Sequence, residues 1–213
     1  MIKAFLFDYD GVITSGVKDD IPATRLARNL GVNFEQASEW IVSIWDGFST
    51  GKLSEQKAWQ KIEEQYGMPI TNEQRDIWYA WDELKPLEEM VELVQLVKSK
   101  GYHVGLLSNV LPVSARLIRE HGGYEGFDFL TLSCEVGARK PDSKVYETAL
   151  ANLQGIKPEE IVFLDDRESC TTAASQLGMI AIQVNDHKKA IEQVHTIVNK
   201  LVTPTTQLRS RYP

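Results

Sequence analysis

Two aspartates, Asp8 and Asp10, follow the apolar run from Ile2 to Phe7 and bracket Tyr9 just before Gly11. A carboxylate at the carboxyl end of a buried strand sits where open α/β sheets place their ligands, and there it can attack phosphorus to form an aspartyl phosphate. Asp10 lies past the strand end, where the chain turns through Gly11. That spacing lets it protonate the leaving-group oxygen as a general acid and afterwards activate water as a general base. Asp and Gly also favour plain turns, so Asp-Tyr-Asp-Gly alone does not decide the matter.

Three further segments point the same way. Asp165 and Asp166 end the apolar run IVFL. Two adjacent carboxylates brought beside Asp8 and Asp10 repel, at a cost of ~4 kcal/mol for a like-charge pair at ~4 Å and an effective dielectric near ~20. A divalent cation relieves that repulsion, and oxygen-only donors with no His or Cys nearby favour Mg²⁺. Ser108 and Asn109 close the run VGLL and can donate hydrogen bonds to phosphoryl oxygens. Lys140 supplies a point charge for the same oxygens and for Asp8, on a segment stiffened by Pro141. A Ser-Asn pair, a Lys-Pro pair or an Asp-Asp pair is common in loops and caps; their joint occurrence carries the argument.

These residues need a sheet to gather them. Residues 2–7, 102–107, 128–132, 161–164 and 179–184 are short apolar runs with strand character, separated for the most part by segments of helical period. This alternation predicts βα units and an α/β fold, a Rossmann-like parallel sheet sandwiched by helices. Helices are predicted over 87–100, 143–153 and 170–177, the first with Pro86 before it and Gly101 after it. Residues 14–85 break the alternation: helical patterns over 22–30, 34–47, 54–66 and 71–83, and no clear strand. The last carries Thr71 and Gln74 as a capping box. All five Trp residues (Trp40, Trp45, Trp59, Trp78, Trp81) fall in this stretch, as the core of a small bundle or, for one or two of them, as lining of a substrate pocket.

A length of 213 residues, 43% apolar and 25% charged, suits a soluble core domain with a smaller insertion. The net charge of −7 argues against nucleic acid or an anionic membrane as partner. Cys134 and Cys170 have neither metal-ligand spacing nor the look of a disulfide framework, which fits a reducing, cytoplasmic setting. The amino-terminal run is too short for a membrane span or a convincing signal peptide. His103, His121, His187 and His195 are scattered and read as surface or strand-edge residues; no Walker sequence or dinucleotide fingerprint is present.

The order of motifs, DxDG, a strand ending in Ser-Asn, Lys-Pro, then a strand ending in Asp-Asp, resembles the haloacid dehalogenase (HAD) superfamily, in the branch with a helical cap inserted after the first strand. GFSTGKLSEQKAW at 47–59 resembles a cap stretch of the group that includes α-glucose-1-phosphatase and the N-terminal phosphatase domain of soluble epoxide hydrolases. The resemblance implies residues 1–14 plus 86–202 as the α/β core, 15–85 as the cap and 203–213 as a flexible tail. It implies Asp8 as nucleophile, Asp10 as acid/base, Ser108, Asn109 and Lys140 on the phosphate, and Mg²⁺ held by the Asp8 side chain, the Asp10 carbonyl and Asp166, with Asp165 in support. Motif one reads DYDGVI rather than the more usual DxDGTL or DxDGVL, and Cys170 stands where Asn or Asp often follows the acidic pair. The expected activity is hydrolysis of a small phosphomonoester, a sugar phosphate or related metabolite, through an aspartyl phosphate. A phosphomutase of the β-phosphoglucomutase type would keep the same residues, and a non-catalytic HAD-like binding protein is the reading from another class. A dehalogenase is disfavoured, because in the resembling family that chemistry lacks the second motif-one Asp.

Overall fold

The computed structural model describes residues 1–200. Five strands, β1 (Ala4–Phe7), β2 (His103–Ser108), β3 (Phe129–Leu132), β4 (Ile161–Asp165) and β5 (Ile180–Gln183), form one parallel sheet in the order β3-β2-β1-β4-β5. Phe7 pairs with Leu106 on one side and Leu164 on the other, so the ends of β1, β2 and β4 finish almost level. Chain order reverses at β1, and the crevice at such a switch point is where doubly wound sheets bind ligands.

Period-2 alternation divides the strand side chains between two cores. Phe5, Phe7, Val104, Leu106, Val162 and Leu164 face one, and Ala4, Leu6, Leu107, Ile161 and Phe163 face the other. Ten helices accompany the sheet: α1 (Ile21–Leu30), α2 (Phe34–Ser49), α3 (Glu55–Tyr66), α4 (Trp81–Leu84), α5 (Glu88–Ser99), α6 (Pro112–Glu120), α7 (Ser133–Val136), α8 (Ser143–Asn152), α9 (Glu168–Gln176) and α10 (His187–Lys200), counted among the described residues. Met90, Leu93, Val94 and Val97 of α5 cover the first face together with Ala190, Val194 and Val198 of α10. Val145, Tyr146 and Ala149 of α8 cover the second together with Cys170 and Ala174 of α9.

A third core lies within residues 15–85. Leu26, Trp40, Ile44, Phe48, Trp59 and Ile62 pack there, joined by Leu111 and Val113 from the segment after β2. Trp40 and Trp59 are buried in this core, whereas Trp81 packs against the sheet-side core.

The predicted helix over 71–83 does not form as such: turns occupy 72–77 and helix appears only at α4. The reason is local competition for carbonyls. Asn29 Nδ2 donates to the Gln74 and Asp76 carbonyls, and the Arg25 guanidinium donates to the Trp78 carbonyl. Acceptors that a helix would offer to amides four residues on are therefore taken by α1. The Thr71–Gln74 box does form, with Thr71 N donating to Gln74 Oε1 at 2.9 Å and Gln74 N to Thr71 Oγ1 at 3.3 Å, but it caps a turn. The expected tail at 203–213 lies outside the described residues.

One set of contacts that fastens the insertion to the sheet domain lies at the carboxyl end of α2. Ser133 Oγ accepts from Val110 N at 2.9 Å and donates to the Ser49 carbonyl at 2.7 Å. Beside it, Gly51 has φ +67°, and a Cβ there would stand 2.0 Å from the Cys134 carbonyl oxygen.

Candidate active site

The sheet brings the expected residues together. Asp8 follows β1, with its amide donating to the Leu164 carbonyl at 2.9 Å, which extends the ladder one residue beyond the strand. Lys140 Nζ lies 2.9 Å from Asp8 Oδ1 and 2.5 Å from Asp165 Oδ2, and all three groups are buried. Tyr9 N donates to Asp8 Oδ1 at 2.7 Å. Two donors thus converge on Oδ1, leaving Oδ2 as the oxygen available for attack or for a cation.

Asp8, Asp165 and Asp166 offer carboxylate oxygens within 4.8 Å of one another. Gly11 makes room for this: its φ is +74°, and a Cβ there would stand 2.8 Å from Asp166 Cγ. Asp166 Oδ1 is buried and has no hydrogen-bond partner among the described residues. Three carboxylates face one ammonium, so a divalent cation would balance the remaining charge and satisfy the orphaned oxygen. The residues present therefore fit Mg²⁺; Asp165 already engages both its oxygens, Oδ2 with Lys140 and Oδ1 as acceptor from Arg167 N at 2.9 Å, which suits the supporting role expected of it.

The electrostatics follow from burial. Desolvation pushes the Asp8 carboxyl up to about 7 even though Lys140 pulls it down, with the neighbouring Asp165 adding to the rise. Asp166 is raised chiefly by desolvation and then by Asp165. Burial alone would lower the Lys140 ammonium, but Asp8 and Asp165 outweigh it and hold it above its ordinary value. Asp10 is raised by desolvation against the hydrogen bonds it receives.

Those hydrogen bonds orient Asp10. Val17 N donates to Asp10 Oδ1 at 3.0 Å and Thr14 Oγ1 donates to the same oxygen at 3.2 Å. The Thr14 hydroxyl itself accepts from Gly11 N and Gly16 N, at 3.3 and 3.1 Å, so its own hydrogen is directed to Asp10. With Oδ1 doubly occupied, a proton on Asp10 belongs on Oδ2.

Ser108, Asn109 and Asp10 line a cavity of about 460 Å³ between the sheet edge and the insertion, and Lys140 lines an adjoining recess that also includes Asn109 and Cys170. Asn109 has a role that the sequence did not reveal, for Lys140 N donates to its Oδ1 at 2.8 Å and its Nδ2 donates to the Lys140 carbonyl at 3.0 Å. The Cys170 thiol is buried and pushed up to about 11 by desolvation, while Tyr146 Oη donates to the Cys170 carbonyl at 2.9 Å.

Arg139 and Arg167, which sequence reasoning left unassigned, line both cavity and recess. Arg139 belongs to the same RKPD segment as Lys140, and Arg167 directly follows the Asp-Asp pair, so proximity to the motifs was the available signal. Thr14 was also missed; its position four residues after Asp10 was the only hint. Of the histidines, His187 alone approaches this region among the described residues, with Nε2 3.2 Å from the Thr14 carbonyl oxygen.

With this geometry in view, residues 2–178 match the family model of haloacid dehalogenase-like hydrolases. The chain belongs to the haloacid dehalogenase-like hydrolases, and within that family it is of the phosphatase type. It is 25% identical over 198 residues to the sesquiterpene phosphatase astK of Aspergillus oryzae, covering 92% of this chain and 96% of that one. It is 34% identical to the glyceraldehyde 3-phosphate phosphatase of Methanothermobacter thermautotrophicus, over 55% of this chain and 53% of that protein. A HAD family enzyme of Bacteroides thetaiotaomicron, solved in complex with magnesium and inorganic phosphate, shares the fold with a TM-score of 0.73 at 21% identity, covering 89% and 99% of the two chains. The likeness read from the motifs is thus borne out at the level of family and fold. No helix of the described residues is long and apolar enough to cross a membrane.

Proposed function

We propose that this protein hydrolyses a small phosphomonoester with Mg²⁺ through an aspartyl phosphate on Asp8. The observation that carries the reading is the buried Asp8–Lys140–Asp165 cluster with the partnerless Asp166 oxygen beside it. Burying such a concentration of charge carries a desolvation cost and is characteristic of functional sites. The relatives named as phosphatases, and the magnesium and phosphate bound by the Bacteroides enzyme, support the same reading.

In this mechanism Asp8 Oδ2 attacks phosphorus while Oδ1 is held by Tyr9 N and Lys140. Asp10, its carboxyl raised by desolvation, gives the Oδ2 proton to the leaving alcohol and then, as carboxylate, takes a proton from the attacking water. Lys140 and the donors of Ser108 and Asn109 stabilise the charge that spreads over the phosphoryl oxygens. Mg²⁺, held by Asp8, Asp166 and the Asp10 carbonyl with Asp165 in support, would screen the nucleophile from the anionic substrate. Residues 15–85 act as a cap over residues 1–14 and 86–202 and select the leaving group.

Phosphate release from p-nitrophenyl phosphate with and without Mg²⁺ tests the reading, together with acid-quench mass spectrometry for a phosphoryl adduct on Asp8. Metal-dependent release and an adduct absent from Asp8→Asn are expected. Full turnover by Asp8→Asn would overturn it.

A further inference from the structure

The cavity beside Asp10 has an apolar wall that core packing only partly accounts for. Helix α2 buries Ala37, Trp40, Ile44 and Phe48 in the insertion's own core. An ordinary surface helix would be polar over the remainder. Instead Phe34 and Val42, at i and i+8, extend an apolar face to the cavity together with Ile41 and Trp45, which also pack in the insertion's core. Phe34 is 48% exposed and Val42 70% exposed. Tyr79 and Leu111 face the same space from the other elements that enclose it.

Asp20, Ser38, Ser49 and Ser114 also line the cavity, but the side chains of the α2 wall are mostly apolar. Asp10, Ser108 and Asn109 mark the chemical end, with Arg139 and Arg167 beside them, and Arg167 is paired with Asp19 at 3.3 Å. A sugar needs donors and acceptors spread around its ring, and burying its hydroxyls against Phe34, Val42 and Trp45 would strip them of water without pairing them. A hydrocarbon chain asks only for apolar area.

Building on the phosphatase reading, we propose that the leaving group is hydrocarbon-like: the substrate is the phosphomonoester of a long aliphatic alcohol, with its phosphate at Asp8 and its chain along the cavity face of α2. The anionic head meets the Arg139, Arg167 and Lys140 end, and the chain covers the exposed Phe34 and Val42 side chains. The sugar phosphate expected from the sequence is the competing substrate class.

The test uses n-alkyl monophosphates from ethyl to octyl, glucose 6-phosphate, and the matching alkyl phosphonates, which cannot be hydrolysed. Values of kcat/KM rise about threefold per added methylene until the cavity is filled, the size expected for apolar burial. Octyl phosphate exceeds glucose 6-phosphate by at least about a hundredfold on the same footing. In Val42→Glu, whose side chain is exposed enough for the fold to tolerate the change, the octyl-to-ethyl ratio falls about tenfold or more. Calorimetry with octyl and ethyl phosphonate in the presence of Mg²⁺ measures the same preference without turnover. Equal binding of the two phosphonates, or preference for glucose 6-phosphate, overturns the hydrocarbon assignment. Chain-length-dependent binding with no phosphate released from any compound overturns hydrolysis and leaves the assignment standing.

Discussion

Asn109 grips the main chain of Lys140 from both sides, its Oδ1 2.8 Å from the Lys140 amide and its Nδ2 3.0 Å from the Lys140 carbonyl oxygen. The end of β2 is thereby tied to the residue whose ammonium joins Asp8 to Asp165. Holding Lys140 uses the side-chain oxygen and one of the two Nδ2 hydrogens, so the phosphoryl contact proposed for Asn109 falls to the second hydrogen or to the main-chain amide.

Replacing Asn109 with Ala frees the Lys140 backbone. The expected outcome is a fall in kcat/KM of about ten- to a hundredfold, since small misplacements of a catalytic group cost that much. Asn109→Asp keeps the acceptor for the Lys140 amide and loses the donor, so it falls between the two. Steady-state kinetics of the three proteins on p-nitrophenyl phosphate check the order.

Lys140→Met leaves Asp165 buried without its cation. Breaking a buried pair from one side costs about 3–5 kcal/mol, which lowers Tm by roughly 10 °C in a chain of this size. Lys140→Arg does not restore activity, because a planar fork cannot occupy the point between Asp8 Oδ1 and Asp165 Oδ2. Scanning calorimetry and phosphate-release rates together separate the two effects.

Asp8→Asn is expected to abolish turnover and yet stabilise the metal-free protein. Burial raises the Asp8 carboxyl to about 7 in the fold, from an ordinary value of 3.8. The stability it contributes is complete below the ordinary value and is lost as pH rises through about 7, because the fold disfavours the ionised form. Above that pH the neutral amide removes the penalty, so metal-free Asp8→Asn melts a few degrees higher than the wild type. Melting curves at pH 6 and pH 8 in EDTA check this, with the larger gain at pH 8.

Cys134 and Cys170 are both pushed up to about 11, chiefly by burial. Both thiols are therefore protonated at neutral pH, and iodoacetamide labels neither rapidly in the native protein. Their favourable contribution is complete below the ordinary value of 9.0 and is lost as pH rises through about 11. Intact-mass labelling at pH 7.5 and thermal melts from pH 8 to 11 read the two consequences.

Gly51→Ala should be costly beyond an ordinary loop change. Its φ of +67° disfavours a side chain, and the added methyl would collide with the Cys134 carbonyl oxygen. A loss of about 2–4 kcal/mol is expected from strain of this kind, measured by urea denaturation.

The parallel sheet was legible because each buried strand that feeds the site is a short apolar run stopping at a polar residue with chemistry to perform. Phe7 stands before Asp8, Leu107 before Ser108 and Leu164 before Asp165. The placement of Asp8 and Asp165 followed from that rule, whereas Lys140 lies in the RKPD segment, which ends no strand, and was tied to them by the joint occurrence of the motifs. Helices α6 and α10 were not read in advance, and the helix predicted over 71–83 lost its carbonyls to Arg25 and Asn29, partners some fifty residues away that no local pattern displays. The Asn109–Lys140 grip and the cavity face of α2 escaped for the same reason: both depend on what lies across a gap. In α2, the sequence left Trp45 open as bundle core or pocket lining and did not single out Phe34 or Val42; all three line the cavity.

The Ser133 hydroxyl and the close approach of Gly51 to Cys134 pin only the carboxyl end of α2. Phe34 stands at the opposite end of that helix, sixteen residues from Ser49 when both ends are counted. The greasy rim of the chamber thus begins at the end of α2 farthest from that anchor.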